Sequence, residues 1–234
     1  MTTTSDFDES SDAGWPADAT RRMNRMYRWQ RHIYDATRRY YLLGRDQLID
    51  GLKPHANETV LEVGCGTGRN LIRAARHYPD ARFYGIDVST EMLTSAISSI
   101  ERRKLNGAIR VAHGDATLFD PMPSFGIASF DHIMISYSLS MIPAWQDVLD
   151  NALLRLKPGG KLHIVDFGNQ ARLPRLMRTV LLHWLTLFDV TPRDTLQDVM
   201  VDLASQSASS LSFTRPFRGY AQTAVLTLPV TRQG

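Results

Sequence analysis

The stretch from Val60 to Leu71 constrains this chain more than any other. An apolar run, Val60-Leu61-Glu62-Val63, has the length of a short buried strand, and glycines follow at alternate positions: Gly64, Gly66 and Gly68. Helical patterning then covers Asn70–His77. A backbone that leaves a strand, passes through three glycines and enters a helix turns sharply. It also leaves room where Cβ atoms would stand, which suits close approach of a ligand to the main chain. Loops spaced G-x-G-x-x-G cradle a pyrophosphate at the helix N-terminus. Here the third glycine comes one residue early, and Arg69 stands where the last glycine would be. The spacing favours a ligand without a pyrophosphate.

The rest of the pattern alternates. Phe83–Ile86, Ile109–Val111, Phe130–Ile135 and Leu162–Val165 read as further short buried strands. Between them lie a helix over Glu91–Lys104, an irregular crossover around Ala116–Ser129, and a helix over Ala144–Leu156 that stops at Lys157-Pro158-Gly159-Gly160. Strands alternating with helices predict a parallel sheet covered on both faces. Leu211–Arg215 and Tyr220–Leu228, on either side of Pro216 to Gly219, predict an antiparallel hairpin. Sites on open α/β sheets form outside the carboxyl ends of the strands, and polar groups fall there. Asp87, 23 residues after Gly64, suits the ribose hydroxyls of an adenosine, and Asp115 in Gly114-Asp115-Ala116 suits an adenine amino group. Phe130-Asp131 opens the fourth strand and Ser136-Tyr137 closes it. Glu62 serves either the loop or the ligand, and Cys65 reads as a small packed residue.

Charge is distributed unevenly. Of 27 cationic residues only four are lysine, and eight arginines fall between Arg21 and Arg45, where Asp35 is the one acid. Met1 to Ala19 carries five acids and no base. We expect an acidic tail over residues 1–18, a basic and aromatic helical cap over 19–54, and a main domain over 55–234 with a helical insert at 168–205. Within the cap, helices are expected over Ala19–Tyr41 and Arg45–Leu52. Such a cap calls for an anionic partner. The insert from Ala171 to Phe188 repeats the theme, with Arg172, Arg175 and Arg178 beside an apolar run. Both segments suit an anionic membrane surface. No apolar run reaches the roughly 18 residues of a membrane-spanning helix. The polar start and the single cysteine, Cys65, lead us to expect a cytoplasmic protein without an internal disulfide. The seven histidines are scattered, so no metal site is expected.

Val60 to Leu71, Asp87, Gly114-Asp115-Ala116, Phe130-Asp131 and Leu156-Lys157-Pro158-Gly159-Gly160 together resemble the ordered motifs of the class I S-adenosylmethionine (SAM)-dependent methyltransferases. The resemblance covers about residues 55 to 167. It implies an α/β, Rossmann-like seven-stranded sheet in the order 3-2-1-4-5-7-6, its last strand antiparallel, here with an N-terminal helical extension. The implied cofactor is SAM, with Gly64, Gly66 and Gly68 facing its methionine part, Asp87 its ribose, and Asp115 with Ala116 its adenine. Cys65, Val88, Met92, Ser136 and Arg45 complete the expected cofactor set, though Arg45 suits equally the cofactor's carboxylate or an acceptor's.

Tyr34-Asp-Ala-Thr-Arg-Arg39, Tyr41-Leu-Leu-Gly-Arg45, Tyr137-Ser-Leu-Ser-Met-Ile-Pro143 and Gly219-Tyr-Ala-Gln-Thr-Ala-Val-Leu226 are similar to segments of the bacterial betaine-lipid-synthesis N-methyltransferases. That similarity implies three methyl transfers to the amine of diacylglycerylhomoserine. Tyr34, Tyr41 and Tyr137 would then be the catalytic residues, orienting the amine and facing the final quaternary cation, which aromatic faces stabilise. An enzyme that makes the homoserine lipid would be a natural partner. Phosphatidylethanolamine N-methylation, C-methylation of a quinone precursor and an RNA-binding methyltransferase are competing readings, and no nucleic-acid partner is expected.

Overall fold

The computed structural model describes residues 42–186 and 190–230. Tyr34, Tyr41, the acidic tail and the helix expected over Ala19–Tyr41 lie outside the described residues. The chain divides into two compact units, Met1–Leu42 and Leu43–Gly234, and the sheet belongs wholly to the second. Its elements run α1 (Arg45–Leu52), β1 (Thr59–Val63), α2 (Arg69–His77), β2 (Arg82–Asp87), α3 (Thr90–Arg102), β3 (Ile109–His113) and α4 (Pro121–Phe125). They continue as β4 (Phe130–Ser136), α5 (Trp145–Leu154), β5 (Leu156–Phe167), α6 (Arg175–Thr186), α7 (Leu196–Gln206), β6 (Ser210–Thr214) and β7 (Ala221–Thr227).

The seven strands lie in the order β3-β2-β1-β4-β5-β7-β6. β1 to β5 are parallel, and β7 runs antiparallel to both β5 and β6. The class I methyltransferase architecture implied by the motifs is the one observed. Central β1 and β4 are apolar along nearly their whole length because helices cover both of their faces: Val60, Leu61, Val63, Ile133, Met134 and Ile135 are all buried. Edge strand β6 instead alternates exposed and half-buried residues. Leu71, Ile72, Ala74 and Ala75 bury one face of α2. A side chain as deep as Leu71 contributes about 1.5–3 kcal/mol by leaving water. α3 starts where Ser89 Oγ accepts the Met92 N–H at 3.3 Å, satisfying a donor the helix cannot satisfy itself.

One expectation needs correction. The segment Lys157-Pro158-Gly159-Gly160 reads as a helix stop, yet α5 ends at Leu154 and the segment already belongs to β5. Proline and glycine are tolerated there because the β4–β5 ladder is irregular between Phe130 and His132, and an irregular ladder does not need every N–H. The span 168–205 holds two helices, as expected, of different character. Leu196, Met200 and Ala204 of α7 join the main core, so α7 is a covering layer of the sheet. The crossover at Ala116–Ser129 contributes one short helix, α4, capped by Asp120 Oδ1 accepting the Met122 N–H at 3.1 Å.

His132 lies in the amino-terminal half of β4, level with Val60 of β1, and so at the opposite end from the glycines. Its Nδ1 is 3.1 Å from His163 Nε2, and its Nε2 is 3.1 Å from Glu58 Oε2. Burial pushes both imidazoles toward the neutral form, His163 down to about 3. The pair joins β4 to β5 inside the core.

Candidate active site

The glycine loop sits at the carboxyl end of β1, where the sequence places it. Gly64, Gly66 and Gly68 have φ of 71°, 53° and 72°, the left-handed region that only glycine enters freely. The N–H groups of Gly64 and Cys65 both donate to Ile86 O at 2.9 Å, which ties the loop to the end of β2. A Cβ on Gly64 would lie 2.7 Å from Ser138 Cβ. Ser138 Oγ in turn donates to Val63 O at 3.0 Å, so the loop is wedged between β2 and the end of β4.

Asp87 closes the unit. Its Oδ2 accepts the Gly66 N–H at 2.7 Å and its Oδ1 the Ser89 N–H at 2.9 Å. Each oxygen keeps further acceptor capacity. Glu62, one residue before the end of β1, is 1% exposed. Its Oε1 accepts from Asn70 Nδ2 at 2.7 Å, while Oε2 is buried with no partner. Desolvation pushes its carboxyl pKa up to about 8, against the opposing pull of Asn70 and Arg45. Arg45, half-buried at the start of α1, therefore stands near Glu62.

These facts test whether SAM fits. The ligand would bring ribose hydroxyls, which need acceptors, and an α-ammonium, which needs a carboxylate. Asp87 offers the first, and Glu62, with its unpartnered Oε2, offers the second once the ammonium's charge draws its proton off. The positive-φ glycines leave the main chain open to close approach. The residues fit.

The raised pKa has a measurable consequence. A carboxyl that keeps its proton in the fold up to about 8, but only up to 4.5 when unfolded, stabilises the fold most at low pH. That stability is lost as pH rises from 4.5 through 8. Glu62→Gln, which cannot ionise, is expected to stabilise the cofactor-free protein at pH 8 by on the order of 2–4 kcal/mol and to change little near pH 4.5. Urea melts at the two pH values check this, and equal stability at pH 8 contradicts it.

The other expected residues are placed less uniformly. Cys65 is buried beneath the loop, and desolvation pushes its thiol pKa well up, which leaves it unreactive. Val88 is 71% exposed beside Asp87, and Met92 is half-buried in the first turn of α3. Asp115 is exposed, and its Oδ1 accepts from Thr117 N and Oγ1 at 2.9 and 2.8 Å. Those bonds hold its carboxyl below the usual range. Gly114, not Asp115, makes the link to Asp87, its N–H donating to Asp87 O at 3.1 Å. Ala116 is half-buried and its carbonyl accepts from Asn151 Nδ2 at 3.0 Å. Ser136 ends β4 with a buried Oγ that has no partner.

Tyr137 is 2% exposed and holds a φ of 57°, a strained conformation for a bulky residue. Its hydroxyl donates to Leu43 O at 2.5 Å, and its ring stands edge-on to Phe167 at 4.6 Å. It thereby anchors the turn that leads into α1. Tyr220 extends the series, 6.0 Å from Phe167.

Several residues at this edge escape sequence reading. Gly85 is needed because a Cβ there would meet Leu71 Cδ1 at 2.5 Å and Cys65 Sγ at 2.9 Å. A Cβ added at Gly114 would likewise meet Phe119 Cδ2 at 2.3 Å. Asp166 is fully buried, accepts from Ser140 N at 3.2 Å, and is pushed up to about 6 by desolvation. Gln170 is fully buried with neither amide atom partnered.

Comparison with known proteins agrees with this geometry. The family described as "Methyltransferase domain" matches residues 54–191. The ubiquinone/menaquinone biosynthesis C-methyltransferase UbiE of Dinoroseobacter shibae is 29% identical over 124 residues, 53% of this chain and 48% of the relative. The demethylmenaquinone methyltransferase of Clavibacter sepedonicus is 35% identical over 142 residues, 58% of this chain and 54% of the relative. The chain thus spans about half the length of the curated relatives it matches. Among solved structures, an O-methyltransferase family protein from Burkholderia thailandensis superposes with a TM-score of 0.69 at 20% identity, over 91% of this chain and 63% of that one. A geranyl diphosphate methyltransferase in complex with SAM gives 0.60 at 12% identity, over 79% and 83%.

Proposed function

The chain belongs to the Methyltransferase domain family, and on that premise we propose that it methylates the amine of an acidic lipid, diacylglycerylhomoserine, three times. The methyl donor is SAM, which supplies a methyl group on a sulfonium, an excellent leaving group. The work left to the protein is holding, orienting and excluding water. The observation that carries the cofactor assignment is the Gly66–Asp87 clamp beside the unpaired buried oxygen of Glu62. Asp87 takes the ribose, Gly64, Gly66 and Gly68 the methionine part, and Glu62 its ammonium. Val88, Met92, Asp115 and Ala116 flank the adenosine. Ser136 and Arg45 take the remaining polar groups.

For the acceptor, the support is the half-buried Tyr220 ring, backed by the buried rings of Phe167 and Tyr137 at the carboxyl end of β4 and β5. Aromatic faces suit the quaternary ammonium that the third transfer creates. With its hydroxyl on Leu43, Tyr137 acts by positioning this wall, and Tyr34 and Tyr41 remain the residues proposed to touch the amine. Leu176 and Val180 of α6 are 77% and 62% exposed beside exposed Arg172, Arg175 and Arg178. That surface suits peripheral contact with the anionic inner face of a membrane. No described helix is long and apolar enough to cross one.

A second reading, C-methylation of a quinone precursor, is favoured by the names of the curated relatives. A transfer assay with methyl-labelled SAM separates the two. Diacylglycerylhomoserine, phosphatidylethanolamine and demethylmenaquinol are offered singly in mixed micelles. Mono-, di- and trimethyl products from the homoserine lipid alone are the expected outcome. Label on either other acceptor alone overturns the homoserine assignment.

A further inference from the structure

A cleft of about 410 Å³ opens at the same carboxyl edge of the sheet, beyond the aromatic rings. Its lining includes Arg172, Arg215, Asn169, Thr214 and Gln197. Gly219, also in the lining, directly precedes Tyr220, whose ring meets Phe167, which in turn meets Tyr137. The chain that lines the cleft at Gly219 thus runs directly into the aromatic series Tyr220, Phe167 and Tyr137.

The chemistry of the cleft is one-sided. Its lining residues include two arginines, Arg172 and Arg215, and no Asp or Glu. Among the described residues, neither Arg172 nor Arg215 has an acidic partner. The Arg215 guanidinium rests over the Phe213 ring at 5.4 Å, which leaves its N–H donors free to bind. Asn169, Thr214 and Gln197 add neutral hydrogen-bonding groups. Gln170, between Asn169 and Ala171 of the lining, is fully buried with both amide atoms unpartnered. Unpaired buried amides are rare in native proteins and mark positions where a partner is expected. Two unpaired guanidiniums converging on one cleft are the usual protein answer to a carboxylate or phosphate.

We propose that this cleft binds the oxyanion of the lipid acceptor, its headgroup carboxylate, and so selects acidic lipids over neutral ones. The proposal rests on the lipid-amine reading above and adds to it a site for the acceptor's charge. Both arginines are exposed, so Arg172→Gln/Arg215→Gln is expected to fold and to bind SAM as the wild type does.

The test measures steady-state transfer in neutral detergent micelles, with diacylglycerylhomoserine and its carboxyl methyl ester as acceptors. For the double variant, KM for the acid is expected to rise at least tenfold with kcat within threefold, and KM for the ester to stay unchanged. Arg102→Gln/Arg103→Gln, an equal charge change on α3, is expected to alter neither. An equal rise for acid and ester, or the same effect from the α3 pair, overturns the proposal. A defect confined to micelles containing phosphatidylglycerol assigns the arginines to bulk lipid phosphate and also overturns it. Calorimetric binding of dodecanoate, below its micelle concentration, gives a readout independent of catalysis. Binding that weakens at least tenfold in the cleft variant supports the cleft even if no amine lipid is methylated, in which case only the acceptor reading fails. Wild-type protein that does not bind dodecanoate refutes the cleft whatever the transfer assay gives.

Discussion

Gly64→Ala is expected to weaken SAM binding at least about 100-fold and to destabilise the fold by about 2–3 kcal/mol. Two independent costs meet at this position. The backbone holds a φ of 71°, and the added Cβ would lie 2.7 Å from Ser138 Cβ. Ser138 cannot easily retreat, because its hydroxyl is bonded to Val63 O at 3.0 Å. The loop must move instead, and it carries the Gly64 and Cys65 N–H bonds to Ile86 with it. Gly126→Ala is the control. That glycine has a φ of 75° but open space around its Cβ direction, so it should lose about 1 kcal/mol of stability and no cofactor affinity. Isothermal calorimetry with SAM and urea melts of both variants check the pair. A Gly64→Ala protein that binds SAM within threefold of wild type would show that the loop is not the cofactor cradle.

Asp87→Ala is expected to lower kcat/KM for SAM by about 10³, with a smaller loss for Asp87→Asn. Each charge-assisted hydrogen bond contributes about 1.5–3 kcal/mol. Asp87 holds the Gly66 and Ser89 N–H groups and is assigned the ribose hydroxyls as well. Asparagine keeps the shape and one acceptor but gives up the charge. Removing the side chain therefore costs twice, once in the preorganised loop and once in the ligand. The two effects separate in stability measurements without ligand, where only the loop bonds count. If the alanine variant lost stability but bound SAM normally, Asp87 would be a loop clamp and nothing more.

How much of this was legible in the sequence depended on whether a residue's role is local. The parallel strands could be read because burial on both faces makes them continuous apolar runs, and the glycine loop because positive φ demands glycine wherever the chain goes next. Asp87 was legible from its distance to the loop and its place at a strand end. The start of β5 was not, since Pro158 and Gly159 carry the local signature of a break and only the irregular ladder with β4 keeps them in the sheet. Tyr137 reads as a polar aromatic facing a ligand, yet its surroundings bury the ring and engage its hydroxyl on Leu43. Gly85, Ser138, Asp166 and Gln170 matter through neighbours far away in the chain. Gly85 must be small because of Leu71 and Cys65, and no periodicity near residue 85 records that. Asp115 follows a strand end, as its place in the sequence suggests, and its closest partner is Thr117, a bond that local turn chemistry explains without a ligand.

The placement of β7 between β5 and β6 governs how the protein can be made. As the ribosome extends the chain, β1 to β5 can join side by side, each new strand finding a neighbour already present. β6 emerges before β7 yet has no hydrogen-bonding partner in the finished sheet except β7. Until residues 221–227 have been translated, the edge of β5 stays open and β6 must wait unpaired. The nascent domain therefore passes through a five-stranded stage with an exposed edge, the kind of surface that pairs wrongly with other chains. Stalling synthesis between residues 215 and 220 should leave a chain that holds its glycine loop but aggregates, and the addition of β7 should end that vulnerability in one step.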